Sequence, residues 1–125
     1  MTAAAHALGK AGEQAAARFL ETRGYTILER NFRHKTFELD IIAKDGDTLC
    51  FVEVKTRSNV KKALPREFIS PAKQNKMITG ATYYLKKKKL ANQRVRFDVA
   101  EVVYKGANAS APPEITLIQN AFVGR

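Results

Sequence analysis

The stretch FELDIIAKDGDTLCFVEVKTR, residues 37–57, decides the fold. Two apolar runs, Phe37 to Ala43 and Thr48 to Thr56, flank Lys44-Asp45-Gly46-Asp47. Asp-Gly between apolar runs is a strong hairpin signal, so the segment reads as two antiparallel strands. The second run, Leu49-Cys50-Phe51-Val52-Glu53-Val54, is apolar on both faces, as expected of a central strand covered on both sides. With Asp45-Gly46 as the turn, paired positions sum to 91 and Asp40 lies opposite Phe51. Glu53 is then its diagonal, same-face neighbour at about 7–8 Å. Any odd sum keeps Asp40, Glu53 and Lys55 on one face, and Glu38 shares that face further along the strand.

Working outward, Ala4 to Arg23 has helical spacing of Leu8, Gly12, Ala15, Ala16, Phe19 and Leu20, closed by Gly24. Tyr25 to Phe32 reads as a strand. Ser70-Pro71 is a helix start, with Ser as cap and Pro in the first turn; the helix runs to about Lys88, with Met77, Ile78, Ala81, Tyr84 and Leu85 inward. Val95 to Tyr104 and Ile115 to Ile118 are two further strands, and Ser58 to Glu67 and Gly106 to Pro113 are loops. The order α-β-β-β-α-β-β predicts one α/β domain over residues 1–125, a mixed sheet with helices on its faces.

Composition bounds the rest. The chain has 125 residues, enough for one core without disulfides or a structural metal. Its one cysteine, Cys50, sits in an apolar run and reads as a buried free thiol, which suits a reducing compartment. No apolar run reaches the roughly 18 residues of a membrane span, and Met1 to Leu8 is no secretory signal. We therefore expect a cytoplasmic protein with no membrane partner. The net charge is +10, and the excess is local: thirteen of the 22 Lys and Arg residues lie between Glu53 and Arg96, against Glu53 and Glu67 alone. That asymmetry points to a polyanionic partner, nucleic acid before others, with a solubilising surface as the plain alternative.

The chemistry concentrates on the hairpin. Asp40 and Glu53 converging on one point repel each other unless positive charge lies between them. Lys55 supplies that charge in a structural ion pair; alternatively Mg2+ or Mn2+ takes the same oxygens, leaving positions for water and a phosphate oxygen. Glu13 falls at about 140° on the first helix, just outside an apolar arc of about −20° to 120°, where it can add a carboxylate. Gln74 is a polar residue on an apolar helix stripe, able to reach the site or to bond to backbone. Lys73, one step round, either contacts phosphate or is solvated. Arg57 at the strand end has a fork that matches phosphate oxygens, and Lys61 and Lys62 belong to the same basic segment.

Glu13, Asp40 and Glu53-Val54-Lys55 together resemble the PD-(D/E)xK nuclease signature. More closely, the chain resembles the YraN family of small bacterial proteins. Its Gly9-Lys10-Ala11-Gly12-Glu13, Arg30-Asn31-Phe32-Arg33, Glu38-Leu39-Asp40-Ile41-Ile42-Ala43, Phe51-Val52-Glu53-Val54-Lys55-Thr56-Arg57 and Arg96-Phe97-Asp98-Val99 segments carry the likeness. Phe37 stands where that family usually has Gly, and the signature's proline is absent. The resemblance implies a restriction-endonuclease-like fold, similar to archaeal Holliday-junction resolvases. It implies Mg2+- or Mn2+-dependent hydrolysis of phosphodiester bonds in DNA, with branched or structured DNA as a candidate substrate. Asp40, Glu53 and Glu13 would be metal ligands, Lys55 the activating lysine, and Arg57, Lys73, Gln74, Lys61 and Lys62 contacts to nucleic acid. A homodimer is an allowed assembly. The alternative is a non-catalytic nucleic-acid-binding module whose charged set is a structural network.

Overall fold

In the computed structural model, which describes residues 3–58, 69–106 and 109–124, α1 (Ala3–Thr22) precedes three strands, β1 (Thr26–His34), β2 (Phe37–Asp45) and β3 (Thr48–Ser58). Then come α2 (Pro71–Lys87), β4 (Arg94–Tyr104) and β5 (Glu114–Phe122). This is the expected α/β order. The strands form one five-stranded sheet in the order β1-β2-β3-β4-β5. β1, β2 and β3 are antiparallel, β3 and β4 parallel, and β4 and β5 antiparallel. The parallel pair needs a crossover, and α2 supplies it.

Each element follows from local chemistry. α1 stops where Gly24 takes φ +90, a left-handed conformation that costs glycine little. Ser70 caps α2, its hydroxyl accepting from the Lys73 N–H at 3.1 Å, with Pro71 in the first turn. β3 is buried from Leu49 to Val54, consistent with its central position. β5 runs to Phe122, four residues beyond the expected end, and β1 to His34.

Two apolar layers sandwich the sheet. Ala16, Ala17 and Leu20 of α1 pack on Ile41, Ala43, Val52, Val54, Ala100 and Val102. Met77, Ala81 and Tyr84 of α2 pack on Phe37, Leu39, Ile42, Leu49, Phe51 and Phe97. Gly12 allows α1 to lie directly on β3, because a Cβ there would overlap the Thr56 side chain. Gly80 does the same for α2: its Cβ would lie 2.8 Å from Phe37 Cδ1. Phe37 is thus a core ring that fills the space opposite a helix glycine.

The register of the β2–β3 hairpin corrects the expected one. Ile41 pairs with Val52, Ile42 with Phe51 and Asp45 with Thr48, so paired positions sum to 93. The central turn residues are Gly46 and Asp47, with Gly46 at φ +60 and Asp47 outside the positive-φ set, as in a type II′ turn. The sum is still odd, as the parity argument requires over the paired residues Ile41 to Asp45.

A second departure lies at Asp40 itself. Leu39 belongs to the α2 layer and Ile41 to the α1 layer, although two residues apart in a regular strand share a face. The alternation therefore breaks at Asp40. The β1 register places Asn31 opposite it, at φ 53, so both strands are irregular at the same level. The β2–β3 backbone pairing ends at Ile41–Val52.

Candidate functional site

Where the β2–β3 ladder ends, a side chain takes over its hydrogen bonding. Asp40 Oδ2 accepts the Val54 backbone N–H at 2.9 Å. This fixes the Asp40 carboxylate against β3, beside Glu53. Burial raises the Asp40 carboxyl above its ordinary value; the Val54 N–H, the Lys73 ammonium and a hydrogen bond with Glu53 oppose that rise. Glu53 is pushed up to about 7 by burial and by the neighbouring Asp40 charge, against the pull of Lys73 and Lys55. The two carboxyls behave as a pair that holds a shared proton more readily than two negative charges.

Lysines border the pair. Lys55 Nζ is 3.8 Å from Glu53 Oε2, and Lys73 Nζ is 3.5 Å from Glu53 Oε1. The Glu53 side chain is only 7 % exposed, while the two lysines keep about a third of their surface. The Lys73 contact is electrostatic in geometry: Glu53 Oε1 is buried with no hydrogen-bond partner. That oxygen is the one buried carboxylate atom among the described residues that lacks a hydrogen bond.

Glu13 approaches from the α1 side. Gly12 brings this turn of α1 against β3, and Glu13 with Val54, Thr56 and Arg57 lines a cavity of about 310 Å3. Its carboxyl is raised by burial first, then by the charges of Asp40 and Glu38; Arg30 and a hydrogen bond from Asn31 oppose this. Glu38, expected on the same face further along the strand, lines a second cavity of about 460 Å3 with Glu13 and Asn31, where Arg33 Nε donates to it at 3.1 Å.

The structure thus brings Asp40, Glu53, Lys55 and Lys73 together, with Glu13 in electrostatic reach of Asp40. Gln74 takes the backbone role of its two: its Nε2 donates to the Ile69 carbonyl at 3.0 Å. Arg57 is half-buried on the same side of β3 as Glu53 and Lys55, next to Glu101. Lys61 and Lys62 lie outside the described residues.

Sequence reasoning passed over Glu101, a buried carboxylate whose Cα pairs with that of Lys55 across the parallel ladder. Burial raises its carboxyl and Arg57 lowers it. The signal was available, since Glu101 interrupts the apolar run Val99-Ala100-Glu101-Val102-Val103 as Glu53 interrupts β3. Asp98, fully buried, is structural: it receives Arg96 Nε at 3.0 and 3.1 Å and the Asn120 N–H at 2.8 Å. Arg96 continues to Asp45 and the Tyr25 hydroxyl, tying β4 to the hairpin and to the residue just before β1. Burial pushes the Cys50 thiol up to about 12, which removes it as a nucleophile.

The donors suit a hard divalent cation of modest protein coordination. Asp40 and Glu53 offer adjacent carboxylate oxygens, one of them buried without a hydrogen bond. Among the described residues, no three Asp, Glu, His or Cys side chains are grouped closely enough to cage an ion. Mg2+ is commonly held by one or two carboxylates plus water and phosphate.

Fold and site define a class: a small α/β protein whose five-stranded mixed sheet is split at one hairpin to hold a buried carboxylate pair between lysines. The chain belongs to the family described as Uncharacterised protein family UPF0102, which matches residues 12–102, and the YraN resemblance is borne out as this membership. It is 50% identical over 115 residues to a UPF0102 protein of Desulforapulum autotrophicum, covering 92% of each chain. It is 47% identical over 115 residues to one of Caldicellulosiruptor saccharolyticus, covering 92% of this chain and 96% of the relative. A UPF0102 protein of Chlorobium phaeobacteroides is 44% identical over 120 residues, with 94% and 95% covered. The matched span takes in Glu13, Asp40, Glu53 and Lys55. Among the described residues, no helix is long and apolar enough to cross a membrane.

Proposed function

We propose that this protein is a nuclease of the PD-(D/E)xK type, hydrolysing phosphodiester bonds in DNA with Mg2+ or Mn2+ at the Asp40–Glu53 pair. The observation that carries the reading is the pair itself: two adjacent, mostly buried carboxyls, one pushed up to about 7, with an oxygen left without a hydrogen bond. Repulsion of that kind is costly in an apo fold and is relieved by a cation. The local excess of thirteen basic residues from Glu53 to Arg96 supports a nucleic-acid substrate. The restriction-endonuclease-like label for the fold, and its likeness to junction resolvases, belong to this reading, as does a place in the DNA-containing, reducing cytoplasm.

A divalent cation bound there would supply Lewis acidity to a phosphate oxygen. Asp40, oriented by the Val54 N–H, and Glu53, once its proton is lost, would hold it. Glu13, on the α1 side of Asp40, adds a carboxylate at the rim that takes up or passes on a proton through water. Lys55 presents its ammonium to the non-bridging oxygens of the scissile phosphate and to the attacking water. Lys73 leaves Glu53 for a phosphate oxygen when substrate enters, since both are anionic partners at the same lysine.

A second reading has one specific observation in its favour. Lys55 and Lys73 already satisfy the charge of Glu53, so the set can stand as a structural network in a nucleic-acid-binding module. Incubation of the protein with single-stranded, duplex, flapped and four-way-branched DNA, with Mg2+, Mn2+ or a chelator, separates the two. Cleavage of at least one substrate in metal and none in chelator is expected. Salt-sensitive binding without cleavage in any metal assigns the binding module instead.

A further inference from the structure

One stripe of α2 runs on from Lys73 through cations and a ring that the site above does not use. At 100° per residue, Lys73, Lys76, Gly80, Tyr83 and Lys87 fall within about 80° of one another along about 21 Å of helix. The closeness of Gly80 to Phe37 shows which way the stripe faces: toward the β1–β2 hairpin. Helix and hairpin therefore form the two banks of a seam that begins at Lys73, the residue touching Glu53.

The seam alternates in character. At its first end it opens as a cleft of about 320 Å3 lined by Lys73 and Lys76 from α2 and by Lys35 and Phe37 from the hairpin. Glu38, the carboxylate of that cleft, is held by Arg33. Among the described residues, Lys35 and Lys76 form no ion pair. Further along, His34 and Tyr83 stack with ring centroids 4.0 Å apart and planes 17° from parallel, both half-buried rather than sealed in the core. Beyond them Lys87 Nζ lies 5.9 Å from the Tyr83 ring. Cations, rings and then a cation, in a line, is the arrangement that suits a strand whose bases are free to stack.

We propose that this seam is a track for an unpaired nucleic-acid strand leading into the Asp40–Glu53 site. Phosphates lie on Lys73, Lys76 and Lys35, a base stacks on the His34–Tyr83 pair, and the next phosphate meets Lys87. Its length suits the short end of the range of single-strand sites, about four nucleotides. A duplex cannot use the rings, because its bases are already stacked on one another. The track thus deepens the nuclease reading, on which it rests for its direction, by selecting DNA with a single-stranded flank beside the cut.

The test is fluorescence anisotropy without divalent metal, using a labelled oligothymidylate of about twelve nucleotides and a duplex of the same length. The parent is compared with Lys76→Ala, Lys87→Ala and His34→Ala, none of which touches Glu53. Each lysine variant is expected to flatten the log–log salt dependence on the single strand by about 0.7. His34→Ala is expected to weaken single-strand binding by about fivefold or more and duplex binding far less. Tyr83→Phe, which keeps a ring, is expected to bind as the parent does and guards against a folding artefact in the aromatic cluster. Unchanged single-strand affinity and slope in all three alanine variants, with a parent that still cuts DNA in metal, overturns the track and leaves the nuclease reading standing. Binding that follows these expectations in a parent that cuts nothing supports the track and overturns the nuclease. A parent that binds neither probe overturns the track directly.

Discussion

Replacing Glu53 by Gln removes a charge that the metal-free fold holds at a cost. The Glu53 carboxyl is raised from 4.5 to about 7, chiefly by burial and by Asp40. A raised folded value stabilises the protein fully below the unfolded value, and that contribution is lost as pH rises through about 7. At about 1.4 kcal/mol per unit, the loss above pH 7 is at most about 3 kcal/mol. Little solvent screening applies to a side chain only 7 % exposed. Asp40 and Glu13 are shifted in the same direction and add to the slope. Glu53→Gln keeps the shape of the neutral carboxyl and does not titrate. In chelator it should melt with the parent near pH 5, and be the more stable near pH 8 by up to about 3 kcal/mol. For a chain of this length, that is about 10 °C in Tm. Thermal melts followed by circular dichroism across this pH range read both limits. A variant less stable than the parent by about 3–5 kcal/mol at every pH would refute the reasoning, because that is the signature of a lost partner in a favourable buried ion pair with Lys55 and Lys73.

Other expectations follow from packing and chemistry. Gly12→Ala should destabilise the fold by about 1–3 kcal/mol in a denaturant melt, despite the better helix propensity of Ala, because its Cβ meets Thr56; a more stable variant would show that α1 has room to move. Asp98→Ala should cost about 1–3 kcal/mol by the same measurement, since it leaves the Arg96 Nε–H and the Asn120 N–H without their acceptor; a loss below about 0.5 kcal/mol contradicts the structural role. Cys50, fully buried with its thiol pushed up to about 12, should react with a thiol reagent at the rate of unfolding and no faster.

Much of this architecture was legible in residues with strong local chemistry. Ser70-Pro71 set the start of α2, Gly24 the end of α1, and the apolar run from Leu49 to Val54 the central strand. The nearness of Asp40 to Glu53 was anticipated by parity, which survives a two-residue error in register, but it is secured by the Val54 N–H that Asp40 accepts where the ladder ends. That error arose at Asp45-Gly46-Asp47, where one glycine serves equally as the second residue of a type I′ turn or the first of a type II′ turn. The break at Asp40 carries no glycine or proline; it shows only in the left-handed Asn31 opposite and in side chains that change layers. The run of β5 past Ile118 was hidden by Gln119 and Asn120, whose hydrogen bonds to Tyr25 and Asp98 are long-range and leave no local pattern. Glu101 was missed because its neighbour Lys55 arrives through parallel pairing, which no turn announces.

Asp40→Asn in a single-turnover cleavage assay with Mn2+, on whichever DNA structure the parent cuts fastest, is the most direct test of the Asp40–Glu53 pair as a cation-dependent phosphodiesterase. The neutral amide keeps an acceptor for the Val54 N–H, so fold and DNA affinity should persist, while the cleavage rate falls by about 100-fold or more. A folded Asp40→Asn protein that cuts at the parental rate, or a parent that cuts no DNA structure in Mn2+ or Mg2+, would contradict the account.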